Sequence, residues 1–181
     1  MAKNIGKQFE DDWKKSVPEY ALIYRLPDSA QSFGRSKTLR FSAKSPFDFL
    51  MWDSKKHLLY ALEMKTVGGK SISFERTKDD NGAIHYHQIK GLNGWSRFNG
   101  ITCGFVIDFR QEEKTIFIEI KEFNKLISAI KKKSFNLEDL DNENIRYILI
   151  ERIKMRTRYK YNIDKFLMEQ AGNGEENVKE L

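Results

Sequence analysis

Residues 46–53, Pro-Phe-Asp-Phe-Leu-Met-Trp-Asp, and residues 58–66, Leu-Leu-Tyr-Ala-Leu-Glu-Met-Lys-Thr, are two apolar runs of strand length joined by a short polar turn. That pattern predicts a pair of neighbouring strands inside a sheet. Both runs carry charge where a buried strand should have none. Strand side chains alternate between faces, so Glu63 and Lys65 share one face while Leu62, Met64 and Thr66 take the other. On the preceding run Asp48 shares its face with Leu50 and Trp52. An ionised carboxylate among such neighbours costs several kcal/mol unless something pairs with it. A lysine could neutralise Asp48 alone. Two carboxylates beside one ammonium point to a divalent cation, held by hard oxygen donors.

The remaining elements follow from periodicity. Asn4 is placed to cap a helix in which Ile5, Phe9 and Trp13 recur at spacing four, ending near Val17-Pro18, with Glu10 at the margin of the stripe. Residues 20–25 read as a short strand. Residues 26–45 are polar and basic, with Arg35, Lys37, Arg40 and Lys44, and read as a loop or short stalk. A polar segment follows the Gly68-Gly69 break, and a helix is expected over 84–97. Further strands are expected at 101–109 and 115–120, the first nearly all apolar and so central. A helix is expected over 121–133, its closing Lys131-Lys132-Lys133 favourable at a helix C-terminus.

At 181 residues, 40% hydrophobic and 13% aromatic, the chain is long enough for one domain with a real core. We assign residues 1–170 to it, and 171–181, poor in apolar side chains, to a disordered tail. The net charge of +6 favours a polyanionic partner. With Cys103 as the only cysteine, disulfide frameworks and cysteine-ligated metal sites are excluded within one chain. No apolar run approaches the length of a membrane span and no leader is evident, so a soluble cytoplasmic protein is expected.

Two further patterns carry alternatives. Helical spacing sets Gln88 on the same face as Ile84, Leu92 and Trp95, where a buried amide needs partners: it is a satisfied core glutamine or a contact of the carboxylate site. His85 and His87, two apart, should point to different helix faces and make no metal pair. In residues 146–161 the cations Arg152, Lys154, Arg156, Arg158 and Lys160 alternate with Ile153, Met155, Thr157, Tyr159 and Tyr161. Read as one strand, this gives a wholly cationic face, either the protected edge of a sheet or a surface that follows phosphates.

The segment Ser45-Pro46-Phe47-Asp48, the fifteen-residue step to Glu63, and Glu63-Met64-Lys65 resemble the PD-(D/E)xK nuclease signature. Asn4-Ile5-Gly6-Lys7-Gln8-Phe9-Glu10, Ile84-His85-Tyr86-His87-Gln88-Ile89 and Gly104-Phe105-Val106-Ile107 resemble segments of RecU-type Holliday-junction resolvases, the likeness spanning about residues 4–125. This resemblance implies an α/β restriction-endonuclease-like fold, a mixed central sheet flanked by helices. It implies Mg²⁺ or Mn²⁺ held by Asp48, Glu63 and the Met64 carbonyl, with Glu10 contributing directly or through water. Lys65 would orient the attacking water or stabilise developing charge, and Gln88 would position the phosphate or that water. It further implies a homodimer that resolves four-way DNA junctions in recombination and repair, with a recombinase as a possible partner. Arg35, Lys37, Arg40 and Lys44, together with Arg152, Arg156 and Arg158, would contact DNA. The family carries a longer stalk where this chain has only residues 26–45. The alternatives are a related endonuclease without junction preference, or a non-catalytic DNA-binding recombination partner.

Overall fold

The structure, a computed structural model, describes residues 4–27 and 45–172. It is a mixed α/β architecture around a six-stranded sheet. The chain opens with α1 (Ile5–Ser16), capped by the Asn4 side chain, which accepts the Lys7 N–H at 3.1 Å. Then come β1 (Ala21–Arg25), β2 (Phe49–Asp53) and β3 (Leu58–Val67), an antiparallel meander in which Phe49 lies opposite Leu62. The short β4 (Ile72–Ser73) leads to α2 (Tyr86–Trp95) and to β5 (Ile101–Phe109), parallel to β3. A parallel neighbour requires a crossover, and the stretch containing α2 provides it.

The chain then forms β6 (Lys114–Glu119) and α3 (Ile120–Ala129), β7 (Ser134–Phe135), paired with β4, and α4 (Leu137–Asn142). It ends with β8 (Ile148–Ile150), β9 (Arg152–Lys154), β10 (Tyr159–Tyr161) and α5 (Ile163–Gly172). The sheet order is β1-β2-β3-β5-β6-β8. Both faces are covered. On one, Ala61, Phe105, Ile107 and Ile118 pack with α2 and α3; on the other, Leu62, Met64, Val106 and Phe117 pack with Phe9, Trp13 and Phe166 of α1 and α5. Gly104 is where two layers close most tightly, since a Cβ there would stand 2.4 Å from the Ile118 carbonyl oxygen.

Three expectations need correction. Residues 146–161 are not one strand: β8 joins the main sheet, while β9 and β10 form a separate hairpin. Lys131–Lys133 lie beyond the end of α3. The guanidinium of Arg76 fills that place, donating to the carbonyls of Ile127, Ile130 and Lys132 at 2.6, 2.5 and 3.1 Å. Residues 171 and 172 belong to α5 rather than to the tail, and the rest of the expected tail lies outside the described residues. Among the described residues no helix is long and apolar enough to cross a membrane.

Candidate active site

Glu63, inside β3, lies on the sheet face that Ala61 presents to α2. Asp48 stands immediately before β2, where its N–H donates to the Leu62 carbonyl at 3.1 Å and its own carbonyl accepts the Leu26 N–H at 2.8 Å, so it is held against β3 beside Leu62, the residue that also faces Phe49. Asp48 Oδ2 accepts the Met64 N–H at 2.8 Å. In an extended strand the N–H and C=O of one residue point the same way, so the Met64 carbonyl is directed to the Asp48 side of β3.

Glu63 is 2% exposed. Its Oε1 lies 3.0 Å from Lys65 Nζ and also accepts a hydrogen bond from Gln88 Nε2. Which way the Gln88 amide points is fixed by its other end, where Oε1 accepts the His85 N–H at 2.9 Å, leaving the NH₂ to face Glu63. Gln88 is thus a buried amide satisfied at both ends, and one of its partners is the carboxylate of Glu63. Gln88 stands in the first turn of α2, not in the middle of a longer helix.

Helix α2 is placed by residues that periodicity does not reveal. Glu75 accepts the Tyr86 N–H at 2.7 Å, meets His85 Nδ1 at 2.8 Å and accepts the Gly82 N–H at 3.3 Å. These bonds, the one from His85 foremost, hold the Glu75 carboxyl down to about 2. His85, expected inside the helix, is its N-cap, and its ring stacks on His87 with centroids 5.5 Å apart, so the two do not diverge as a helical spacing would make them. On the inner side Gly91 meets Pro46. A Cβ there would lie 2.6 Å from the Pro46 Cβ, so only glycine lets α2 come this close to the residues leading into Asp48.

Glu10, on α1, forms an ion pair with Arg25 at 2.7 Å. The three carboxylates still act on one another electrostatically. Burial pushes Glu63 up to about 8; Lys65 opposes this, and the charges of Asp48 and Glu10 add to it. Burial likewise raises Asp48, against the Met64 N–H and with Glu10. Among the described residues three carboxylates thus act on one another with one ammonium and one guanidinium beside them, an excess of negative charge.

The donor set fits a hard divalent cation. Two carboxylates and a main-chain carbonyl suit Mg²⁺, which is bound by one or two carboxylates and keeps several waters. Among the described residues no group of three or more His, Cys, Asp or Glu side chains is arranged to hold a metal ion, so the donors here are two carboxylates and a carbonyl, with waters to complete the shell.

The expected DNA contacts divide. Arg35, Lys37, Arg40 and Lys44 lie outside the described residues. Arg152 does not belong to an open cationic face: its side chain is 7% exposed and its Nη1 lies 2.5 Å from Asp108 Oδ1. Arg158 is paired with Asp12 on α1. Arg156 is exposed, in the turn of the hairpin. Asp108, fully buried and also 2.5 Å from Arg110 Nε, is a charged centre that the apolar run around it conceals. No family model matches the chain, and neither does any curated protein.

Proposed function

We propose that this chain is a metal-dependent DNA endonuclease with a restriction-endonuclease-like fold, acting on four-way junctions in recombination and repair, most simply as a homodimer with two matching sites. The observation that carries this reading is the docking of Asp48 on β3, where its carboxylate accepts the Met64 N–H beside Glu63, with Lys65 and Gln88 converging on one Glu63 oxygen. Held by Asp48, Glu63 and the Met64 carbonyl, Mg²⁺ or Mn²⁺ would polarise a scissile phosphate and lower the pKa of a bound water.

The protein groups divide the remaining tasks. Lys65, 3.0 Å from Glu63, would steady charge that grows on a phosphate oxygen. Gln88 locks the Glu63 carboxylate in one orientation and brings the start of α2 over the site. Arg25 holds Glu10 at the margin, where its carboxylate would contribute to the cation directly or through water.

Cleavage of a synthetic four-way junction, compared with nicked and linear duplexes of the same sequence, tests the proposal. Mg²⁺-dependent cuts with the junction preferred support it. Equal cutting of all three leaves the chemistry and removes the junction preference. Binding without cutting under Mg²⁺ or Mn²⁺ favours the non-catalytic DNA-binding alternative.

A further inference from the structure

The β9–β10 hairpin stands against α1 and is moored by its own polar groups. Gln8 Nε2 donates to the Thr157 carbonyl at 2.9 Å, the Tyr159 N–H to Asp12 at 3.1 Å and the Tyr161 N–H to Ser16 Oγ at 3.0 Å. Arg152 and Arg110 sit over the Tyr159 ring, 4.4 and 5.5 Å from its centre, and share Asp108. This mooring fixes the hairpin and leaves its tip open. Between tip and helix runs a groove of about 570 Å³, lined among others by Ile5, Gln8, Arg110, Lys154, Met155 and Arg156. Lys154, Met155 and Arg156 are all exposed. Among the described residues neither Lys154 nor Arg156 has an ion-pair partner.

We propose that this groove binds the sugar–phosphate backbone of DNA beside the cleavage site, an inference that rests on the nuclease reading above. Cations at the rim match phosphate oxygens. Ile5 and Met155 between them match the apolar edge of the sugar, which a site for a bare anion would not need. The position is right as well. The first turn of α1 lies beside Thr66, one residue past Lys65, and the Arg110 N–H donates to the Val67 carbonyl at 3.0 Å, so the groove opens at the end of β3 that carries the site. Gln8 on the groove side and Glu10 on the site side are separated by α1, about 10 Å across with its side chains, which is about three nucleotides of axial rise. The cavity of about 630 Å³ near Gly100, at the other end of β5, mixes Glu119 and Glu122 with Lys121, Lys125 and Arg146, so acids stand among its cations.

The test is fluorescence anisotropy of a labelled DNA duplex across a salt series without divalent metal, with polyglutamate of equal charge as competitor. The full-length protein is compared with the Lys154→Ala/Arg156→Ala double variant and the charge-keeping Lys154→Arg/Arg156→Lys variant. The double variant should flatten the salt dependence of log K by about two units, one for each phosphate that is no longer neutralised, while the charge-keeping variant retains it. Polyglutamate should compete at least about ten-fold less well than unlabelled duplex, since a polyacid lacks the sugar edge that the apolar lining meets. An unchanged slope in the double variant would overturn the proposal, as would polyglutamate competing as well as DNA. The two readings fail separately. Full binding through the groove with no cleavage by the wild type removes the nuclease and keeps the groove; cleavage with an unaltered slope does the reverse.

Discussion

The two faces of the central sheet each bury carboxylate chemistry, and they balance it differently. On the α1 face Asp108 lies between Arg110 and Arg152 and accepts the Thr115 hydroxyl at 3.1 Å. Burial pushes its carboxyl up and the two guanidiniums oppose that push, so one acid meets two bases. On the α2 face Glu63 meets Lys65, and at the sheet margin Glu10 of α1 meets Arg25, with Asp48 acting electrostatically on both pairs. The first cluster has cations in excess and serves to dock the hairpin. Among the described residues the second has carboxylates in excess, the sign of imbalance that a bound cation would offset. Buried charge alone does not mark a functional site; the sign of the imbalance says what could complete it.

The comparison breaks most sharply at the acids themselves. Asp48→Asn and Glu63→Gln should each lower Mg²⁺-dependent cleavage by about a thousand-fold or more with folding intact, because each removes a proposed ligand at the reacting phosphate. Asp108→Asn should do the opposite. Leaving two guanidiniums buried without their anion should cost about 3–5 kcal/mol of stability, read in denaturant melts, while the folded fraction still cuts. Cleavage that survives Glu63→Gln, or that vanishes in well-folded Asp108→Asn, would reverse the assignment of the two clusters.

A smaller effect is expected from the packing that brings α2 to the site. Gly91→Ala drives a methyl into Pro46 and should destabilise by about 1–3 kcal/mol. It should also impair cleavage, because Gln88 moves with the helix. Gln88→Ala should lower turnover with a smaller change in melting temperature. If Gly91→Ala melts early and yet cuts normally, the position of α2 does not matter to the site.

Much of this arrangement was legible in the chain. Strand alternation was enough to set Glu63 and Lys65 on one face, because a period of two leaves no freedom inside β3, whereas Asp48 lies before β2 and its place against β3 does not follow from alternation. Gln88 was legible as an amide in an apolar stripe, though not as a group in the first turn of α2, since the clamp that starts the helix is Glu75, ten residues upstream of His85. The alternation over 146–161 misled. Its cations belong to two strands of a hairpin and a turn, and two of them are neutralised by Asp108 and Asp12, distant in sequence. Long-range ion pairs leave no local periodicity, and for the same reason Arg76 as the cap of α3 could not be read in advance.

The smallest expected effect is on the pH dependence of stability without metal. The folded Glu63 carboxyl titrates near 8 and the ordinary value is 4.5, so the folded state keeps a proton that the unfolded chain has already released between those values. Stability should therefore fall as pH rises through that window and level off above it. Glu63→Gln should flatten this dependence. Asp108→Asn should leave the Glu63 window in place.

The most direct test of the carboxylate-rich cluster is calorimetric titration of Mn²⁺ into the wild-type protein near pH 7, repeated in buffers of different ionisation heat. The account predicts binding lost in both Asp48→Asn and Glu63→Gln and kept in Lys65→Ala, with release of a large fraction of one proton as Glu63 ionises. Binding that persists in both carboxylate variants, or a wild-type protein that takes up no Mn²⁺, would contradict it.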